Sequence, residues 1–226
     1  MTGASWPFWE LLTPEQQRFL SARVLERVYP AGVLLMDEQS DGPGALLVTA
    51  GRLRLYMLGS EGREVTLFYV EQGECLMLGP EPASFNAPLG LALDTECESE
   101  VLMLSGDTVR YLFSHSRELA LWAYRWVSEA GSRMLRSLQR VLYADIEQRV
   151  ALSLMEQCAW RKSHTLFITQ ERLAHQASSS REVVTRTLKA FSRQGLIATR
   201  RGRIDVLNAA GLKAIADGAG RGRETP

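Results

Sequence analysis

The period of the hydrophobic pattern changes along this 226-residue chain, and the change limits the folds that are open to it. From Gly32 to about Leu104, short alternating apolar runs are separated by sequences rich in Gly, Pro and Asp. Runs at this spacing predict an antiparallel β roll or barrel. The runs are residues 45–48, 53–56, 65–68 and 101–104, and the turn sequences are residues 41–43, 59–62 and 79–80.

Helices are predicted on both sides of this roll. Before it, Thr13 can cap a short helix that has Pro14 in its first position. After it, from about Ser116 to Tyr143, the apolar period is helical and no proline interrupts it. A further helix is predicted from about residue 145 to residue 161, and we expect a domain boundary between the two helices, near residues 143–145.

The long helix carries two apolar stripes. Leu119, Trp122 and Trp126 form one stripe, which can pack on the roll. The other has the alternating four-and-three spacing of heptads, which is typical of a coiled coil. A single intramolecular core could cover both stripes, but we favour a second copy of the helix on the heptad stripe, because Ala120 and Gly131 would let two backbones approach closely. The predicted dimer seam consists of Tyr124, Val127, Gly131, Met134, Leu138 and Val141.

A formal net charge of zero conceals a strong asymmetry between the two parts of the chain. Residues 159–226 contain 13 Lys and Arg against 5 Asp and Glu, whereas residues 1–158 contain 13 against 21. A basic C-terminal part indicates contact with a polyanion, although a solvated basic surface would look the same.

A helix-turn-helix pattern lies within this basic part. Residues 169–177 predict a short helix capped by Thr169, residues 178–180 are three serines that form a turn, and a second helix runs from about Arg181 to Gln194. Ser179 and Glu182 have the spacing of a capping box. On a helical wheel the second helix divides into an apolar face (Val183, Val184, Thr187, Leu188, Phe191) and a largely basic face (Arg181, Glu182, Thr185, Arg186, Lys189, Arg193).

The basic face predicts sequence-specific DNA binding. Arg suits the guanine acceptors in the major groove and Glu accepts from cytosine, whereas a purely electrostatic binder gains nothing from Glu182. The alternative is that Glu182 only caps the helix. We expect Arg181, Glu182, Thr185 and Arg186 to contact bases.

A wing is predicted after Gly195, where apolar runs at residues 196–199 and 204–207 flank a basic hairpin tip. Such a tip can lie against the phosphate backbone, or it can be merely solvated. The residues expected to contact phosphates are Thr169, Ser179, Ser180, Lys189, Arg200, Arg201 and Arg203.

The order of these parts, and residues 180–188 in particular, resemble the Crp–Fnr family of bacterial transcription regulators. The resemblance covers residues 32–207, and one departure is Ser178, where the family often has glycine. Further landmarks are Gly51, Gly62, Arg63, Glu64, Gly73, Glu74, Asp145 and Arg149.

The resemblance implies an α+β fold. Its expected parts are a cyclic-nucleotide-binding-type jelly roll at residues 1–115, a dimerisation helix at residues 116–144, a winged helix-turn-helix at residues 145–212 and a flexible tail at residues 213–226. It also implies a cytoplasmic homodimer that regulates transcription from a palindromic operator on double-stranded DNA, and the sequence leaves open whether it is an activator or a repressor. By position, Arg181, Glu182 and Arg186 imply GTGA-like half-sites. The loop of residues 161–164 lies where the family contacts RNA polymerase, although a solvated loop is an equal alternative.

The effector does not follow from the resemblance. Cyclic-AMP-binding members have an Arg-Ser pair near the position of Leu89 and Gly90, and hydroxyls near Met134 and Leu135. Residues 80–88 contain no Lys or Arg either, so cyclic AMP is not expected. No cysteine precedes Cys75, which excludes the N-terminal iron–sulfur site of other members.

Cys75 leaves three interpretations open. It is a small buried hydrophobe, a redox-sensing thiol that works with Cys97, or a haem ligand, although no histidine lies in the roll. A regulator without any effector is equally open, and no cofactor is assigned.

Other function classes find less support. The chain has only three histidines, and no metal-ligand cluster or nucleophile–base pair has a recognisable spacing, so we expect no enzyme and no metal. No apolar run is long enough for a membrane span and no signal peptide is visible, so we expect no contact with a membrane and reduced thiols. A ligand-binding or scaffolding module that does not bind DNA is the remaining alternative.

Overall fold

The computed structural model describes residues 5–36, 43–59, 64–78 and 90–218. These residues form two compact units. The first comprises the described residues up to Gly59 and from Thr66 to Ser137, and the second comprises residues 64–65 and those from Leu138 onward. The turns predicted at residues 41–43, 59–62 and 79–80, and the 80–88 segment, lie wholly or partly outside the described residues.

The first unit is a roll of two four-stranded sheets. One has the order β1 (Leu25–Tyr29), β8 (Ser99–Leu104), β3 (Ala45–Ala50), β6 (Cys75–Met77). The other has the order β2 (Leu34–Met36), β7 (Leu91–Thr95), β4 (Arg52–Leu58), β5 (Glu64–Glu71). Strand β8 pairs antiparallel with β1 and β3, and β7 pairs antiparallel with β2 and β4. Each predicted apolar run lies within a strand, so the predicted roll is confirmed.

Both faces of strand β3 in the first sheet are buried over residues 45–48. Ala45 and Leu47 belong to a cluster with Trp6 and Phe8 of the N-terminal segment, which also receives side chains from the neighbouring helices. Because side chains alternate along a strand, Leu46 and Val48 point to the opposite face, where they are also fully buried. The helices that contribute side chains to the cluster with Trp6 and Phe8 are α1 (Pro14–Ser21), α2 (Gly106–Ser114) and the start of α3 (Arg117–Tyr143). Thr13 caps α1 as predicted, through a capping box with Gln16.

A buried ion pair links the two central strands of the second sheet. Arg54 on β4 lies opposite Asp94 on β7 in the strand register. Its Nε and Nη2 atoms donate to the two carboxylate oxygens at 3.1 and 2.6 Å. The two side chains are only 7% and 13% exposed, and Arg54 also lies over the Tyr56 ring. The pair is therefore bidentate and largely removed from water.

Helix α3 is attached to the roll along one face. Leu119 is fully buried, the Trp126 Nε1 donates to the Cys75 carbonyl at 2.8 Å, and the Ser137 hydroxyl donates to the Thr66 carbonyl at 2.5 Å. The predicted long helix and its roll-facing stripe are thereby confirmed. No helix in the described parts of the chain is both long and apolar enough to cross a membrane.

The second unit is a winged helix-turn-helix. Helix α4 (Ile146–Arg161) begins at a capping box of Asp145 with Gln148. It is followed by β9 (Thr165–Leu166), α5 (Gln170–Gln176), α6 (Arg181–Arg193), β10 (Ile197–Arg200), β11 (Arg203–Val206) and α7 (Ala209–Ala216), with a three-stranded sheet in the order β10-β11-β9. One apolar core unites these elements.

Residues 213–216, which the sequence places in a flexible tail, are helical. Helix α7 continues to Ala216, because Leu212 is fully buried and Ile215 and Ala216 pack against the same core. Residues 219–226 lie outside the described part of the chain.

Candidate nucleic-acid interface

Helix α6 is held by the apolar face that the helical wheel identified. Val184, Leu188 and Phe191 are at most 1% exposed and lie in the core of the second unit. Ala174 and Ala177 of the preceding helix are buried in the same core, where their small side chains allow α5 and α6 to cross closely. The helix ends at Arg193 with Gln194 as the C-cap residue, and Gly195 follows with a φ of +70°. The orientation of the opposite face is therefore fixed by packing.

The turn between the two helices contains a backbone conformation that L-residues rarely adopt. Ser178 has a φ of +50° and is 3% exposed. Its carbonyl accepts a hydrogen bond from the Arg149 Nη1 at 3.4 Å, which links the turn to α4. The glycine that the family often has at this position suits this geometry, and Ser178 adopts it nonetheless.

The cap of α6 differs from the predicted one. Ser180, not Ser179, is the N-cap residue, and its hydroxyl accepts from the Val183 amide at 3.4 Å. Ser179 lies one residue too early, and its own amide donates to the Ala174 carbonyl. Glu182 is consequently the second residue of the helix, is exposed and does not close a capping box.

Five charged side chains lie on the exposed face of α6. Arg181, Glu182, Arg186 and Lys189 are all exposed, and the first two lie in the first turn. Arg193, in the last turn, is exposed as well. The charges that the wheel assigned to one side of this helix therefore do face solvent.

Thr185 is tied into the motif more closely than its neighbours. It is half-buried, and its hydroxyl lies 2.7 Å from the Gln170 Oε1 and 2.7 Å from the Arg181 carbonyl. One hydroxyl hydrogen can serve only one of these acceptors at a time. The contact with Gln170 connects the start of α5 to α6. Nothing in the sequence pattern singled out Gln170. Thr169 is exposed and caps α5 by accepting from the Arg172 amide.

The wing carries two exposed arginines and one that is tethered. Arg200 and Arg201 are exposed at the hairpin tip, where Gly202 has a φ of +70°. Arg203 is half-buried, and its guanidinium contacts Asp205 through Nε at 2.9 Å and Nη2 at 2.8 Å. The three arginines predicted to contact phosphates are thus not equivalent.

Asp205 is the anchor of this wing. Besides Arg203, its carboxylate accepts from the Thr165 hydroxyl at 2.8 Å on the neighbouring strand β9. The hydrogen bonds from Arg203 and Thr165 hold the pKa of Asp205 below its ordinary value of 3.8. The sequence did not predict this role of Asp205, because Thr165 lies beside it only through the register of β9 and β11.

The predicted dimer seam is partly exposed among the residues that the structure describes. Tyr124 and Val127 are 74% and 59% exposed, whereas Gly131, Met134, Leu138 and Val141 are half-buried. The exposed leucines 135 and 142 extend the apolar surface along the same helix.

The two candidate sensor cysteines differ in burial. Cys75 is 4% exposed in the cluster with Trp6 and Phe8, and burial raises the pKa of its thiol far above the ordinary value. Cys97 is half-buried near Ser99, and neither cysteine forms a disulfide. Within the described ranges, no three His, Cys, Asp or Glu side chains are grouped so that they could hold a metal ion.

The helix-turn-helix and the chain as a whole are similar to known proteins. Residues 148–215 match the Crp-like helix-turn-helix domain. The cyclic AMP receptor protein of Thermus thermophilus is 26% identical over 94% of this chain and 97% of its own length. The transcriptional regulator SdrP of the same organism is 26% identical over 86% of this chain and 96% of its own length.

Solved structures show the same fold. A transcriptional regulator of the Crp/Fnr family from Eubacterium rectale is 25% identical, with a TM-score of 0.87 over 94% of this chain and 99% of that one. A Crp/Fnr regulator from Thermus thermophilus, 22% identical, has a TM-score of 0.68 over 85% of this chain and 98% of that one. Residues 148–215 thus form a Crp-like helix-turn-helix domain, and over most of its length the chain is similar to transcription regulators of the Crp/Fnr family.

Proposed function

We propose that the chain is a homodimer that reads a palindromic operator with GTGA-like half-sites through α6. The proposal rests on the division of α6 into an apolar face and a charged face. Its apolar face is locked in the core, while Arg181, Glu182 and Arg186 project from the start of the other face. The N-terminal residues of a recognition helix are those that meet base edges in the major groove.

Glu182 supports base reading over general affinity for DNA. A carboxylate repels phosphates, and Ser180 already supplies the cap that would otherwise explain it. On DNA, the Glu182 carboxylate would accept from a cytosine amino group, and Arg181 and Arg186 would donate to guanines. Thr185 would contribute to base contacts mainly by orienting the helix, because its hydroxyl is engaged with Gln170 or with the backbone.

The phosphate contacts would fix the register of the protein on the duplex. Arg200 and Arg201 are exposed and available for them, and so is Lys189 at the edge of α6. Arg203 would act from a fixed position, since Asp205 holds it. The capping residues Thr169 and Ser180, together with Ser179, would lie near the backbone at the N-terminal ends of their helices.

The dimer would form through the seam on α3. This helix has 27 residues and is about 40 Å long, enough for a coiled coil of three heptads or more. Tyr124 and Val127, exposed in the single chain, would be buried against the same residues of the second copy. A twofold axis there would present two copies of α6 to successive major grooves, about 34 Å apart.

We propose that neither cyclic AMP nor the Cys75 thiol controls DNA binding. Met134 and Leu135 offer no hydroxyl, and Leu46, Leu53, Leu55 and Leu93 fill the roll as fully buried apolar side chains. Cys75 is buried with a raised pKa, so it offers neither a thiolate to an oxidant nor an open ligand to haem. We propose that DNA binding in the cytoplasm needs neither group. Activation would use the exposed residues 161, 162 and 164 as a contact for RNA polymerase.

The test is selection of bound duplexes from a random library by the purified protein, followed by affinity measurements with variants. The expected product is an inverted repeat with GTGA-like half-sites, bound without additives. Arg181→Ala should lose discrimination at one base pair by about 1–3 kcal/mol, whereas Arg200→Ala should weaken all duplexes alike. Selection of no common sequence, or unchanged operator binding by both variants, would refute the proposal.

A further inference from the structure

The first unit contains a cleft that the proposed function does not use. The cleft has a volume of about 600 Å³ and lies between α3 and the turn that begins at Gly73. This volume is within the range of small-molecule sites. Gly73 has a φ of +85°, and a Cβ atom placed on it would meet nothing within 4 Å, so the turn leaves open space.

The cleft and the dimer seam lie on different sides of α3. At about 100° per residue, Trp122, Trp126 and Arg133 are centred about 130° around the helix from the seam. A second copy of the helix packed on the seam would therefore leave the cleft accessible. Because all of its lining residues belong to the first unit, the cleft is complete within one chain.

One end of the cleft is an aromatic platform with fixed rings. Trp126 is oriented by its hydrogen bond to the Cys75 carbonyl, and Trp122 packs edge-on against Phe8 with ring centres 5.0 Å apart. Both indoles are only half-buried and line the cleft. Rings held in this way can stack on a flat apolar group without losing further freedom.

The other end carries charges of both signs. Arg133 is paired with Glu74 at 3.1 Å, and the second Glu74 oxygen accepts from the Glu71 amide at 2.9 Å, so this acid is fully engaged. Glu129 and Arg136 also line the cleft and are exposed, and neither forms an ion pair with any other described residue. Among the residues that the structure describes, the cleft thus presents one carboxylate and one guanidinium without an ion-pair partner.

The order of these groups along α3 defines the occupant. The indoles at 122 and 126 come first, the acid at 129 follows, and the bases at 133 and 136 come last, with about 10 Å of helix between Trp126 and Arg133. A ligand with only an anionic group would be repelled by Glu129. A ligand with only a cationic group would be repelled by the two arginines. We propose that this cleft binds a free aromatic α-amino acid. The ring lies on the indoles, the ammonium group meets Glu129, and the carboxylate meets Arg133 and Arg136.

The test is calorimetric titration of the purified full chain with three probes of the same ring. These are L-phenylalanine, 3-phenylpropionate, which keeps only the carboxylate, and 2-phenylethylamine, which keeps only the ammonium group. We expect L-phenylalanine to bind about tenfold or more tightly than either analogue, since each analogue loses one charge-assisted contact. Absence of L-phenylalanine binding, or equal affinity for all three probes, overturns the proposal.

Two exposed variants and one control on the same helix sharpen this test. Arg136→Gln should weaken L-phenylalanine and 3-phenylpropionate but not 2-phenylethylamine, and Glu129→Gln should weaken L-phenylalanine and 2-phenylethylamine but not 3-phenylpropionate. Arg125→Gln, also exposed on α3 but not lining the cleft, should leave all three affinities unchanged. Equal losses in all three variants contradict the site. Operator binding is measured without amino acids. A failure of the proposed DNA binding can therefore be distinguished from a failure of the cleft to bind L-phenylalanine.

Discussion

A charge placed in the dimer seam should separate the two copies of the chain. Val127 is 59% exposed in the single chain, and complete burial of such a side chain stabilises by about 1.5–3 kcal/mol. Covering the exposed fraction therefore contributes about 1–2 kcal/mol per copy and about 2–3.5 kcal/mol per dimer. Val127→Glu removes this contribution and also places two like charges near the twofold axis.

The expected result is a dimer dissociation constant raised at least about 30-fold, which corresponds to about 2 kcal/mol. Sedimentation velocity over a concentration series measures it. Arg125→Glu is the matched control, because it changes the charge at an exposed position of the same helix on the side away from the seam. Unchanged dimerisation of Val127→Glu, or equal weakening by both variants, would refute the assignment of the seam.

Two further predictions concern stability. Asp94→Ala leaves the Arg54 guanidinium buried without its bidentate partner and should lower the free energy of unfolding by about 3–5 kcal/mol, whereas Asp107→Ala, which breaks an exposed pair, should cost less than about 1 kcal/mol in thermal or urea unfolding. Similar losses in both variants would show that the roll does not depend on the buried pair. Because the pKa of Asp205 is lowered in the folded state, its contribution is present above the ordinary value of 3.8 and is lost as pH falls through the lower folded value. Asp205→Asn should therefore reduce the acid-induced loss of stability of the second unit in a pH series and loosen Arg203, and an unchanged pH profile would count against the anchor.

The parts that the sequence predicted correctly depend on local periodicity. The faces of α6 follow from a 3.6-residue repeat, so the burial of Val184, Leu188 and Phe191 was accessible without a structure. The strands of the roll and the bounds of α3 followed in the same way. The long helix also revealed its two stripes, because each keeps a constant angular position around the axis.

The features that the sequence did not predict depend on strand register or on small shifts of the backbone. Ser179 and Ser180 are both chemically able to cap α6, and only the backbone conformation selects Ser180. The Arg54–Asp94 pair and the Asp205 anchor join residues 40 positions apart in the sequence, which come together only when strands align. The burial of Cys75 in the aromatic cluster depends on which face of β6 it occupies, and this too required the sheet.

The central claim is that Glu182 on α6 selects a base, and one series of affinities tests it most directly. The series compares the wild-type protein with Glu182→Gln on the selected operator and on every single-base-pair variant of one half-site, at fixed salt concentration. We predict that Glu182→Gln loses about 1–3 kcal/mol of discrimination at one base pair and keeps its preferences at the others. A uniform change at all positions, or no change at any of them, would contradict it.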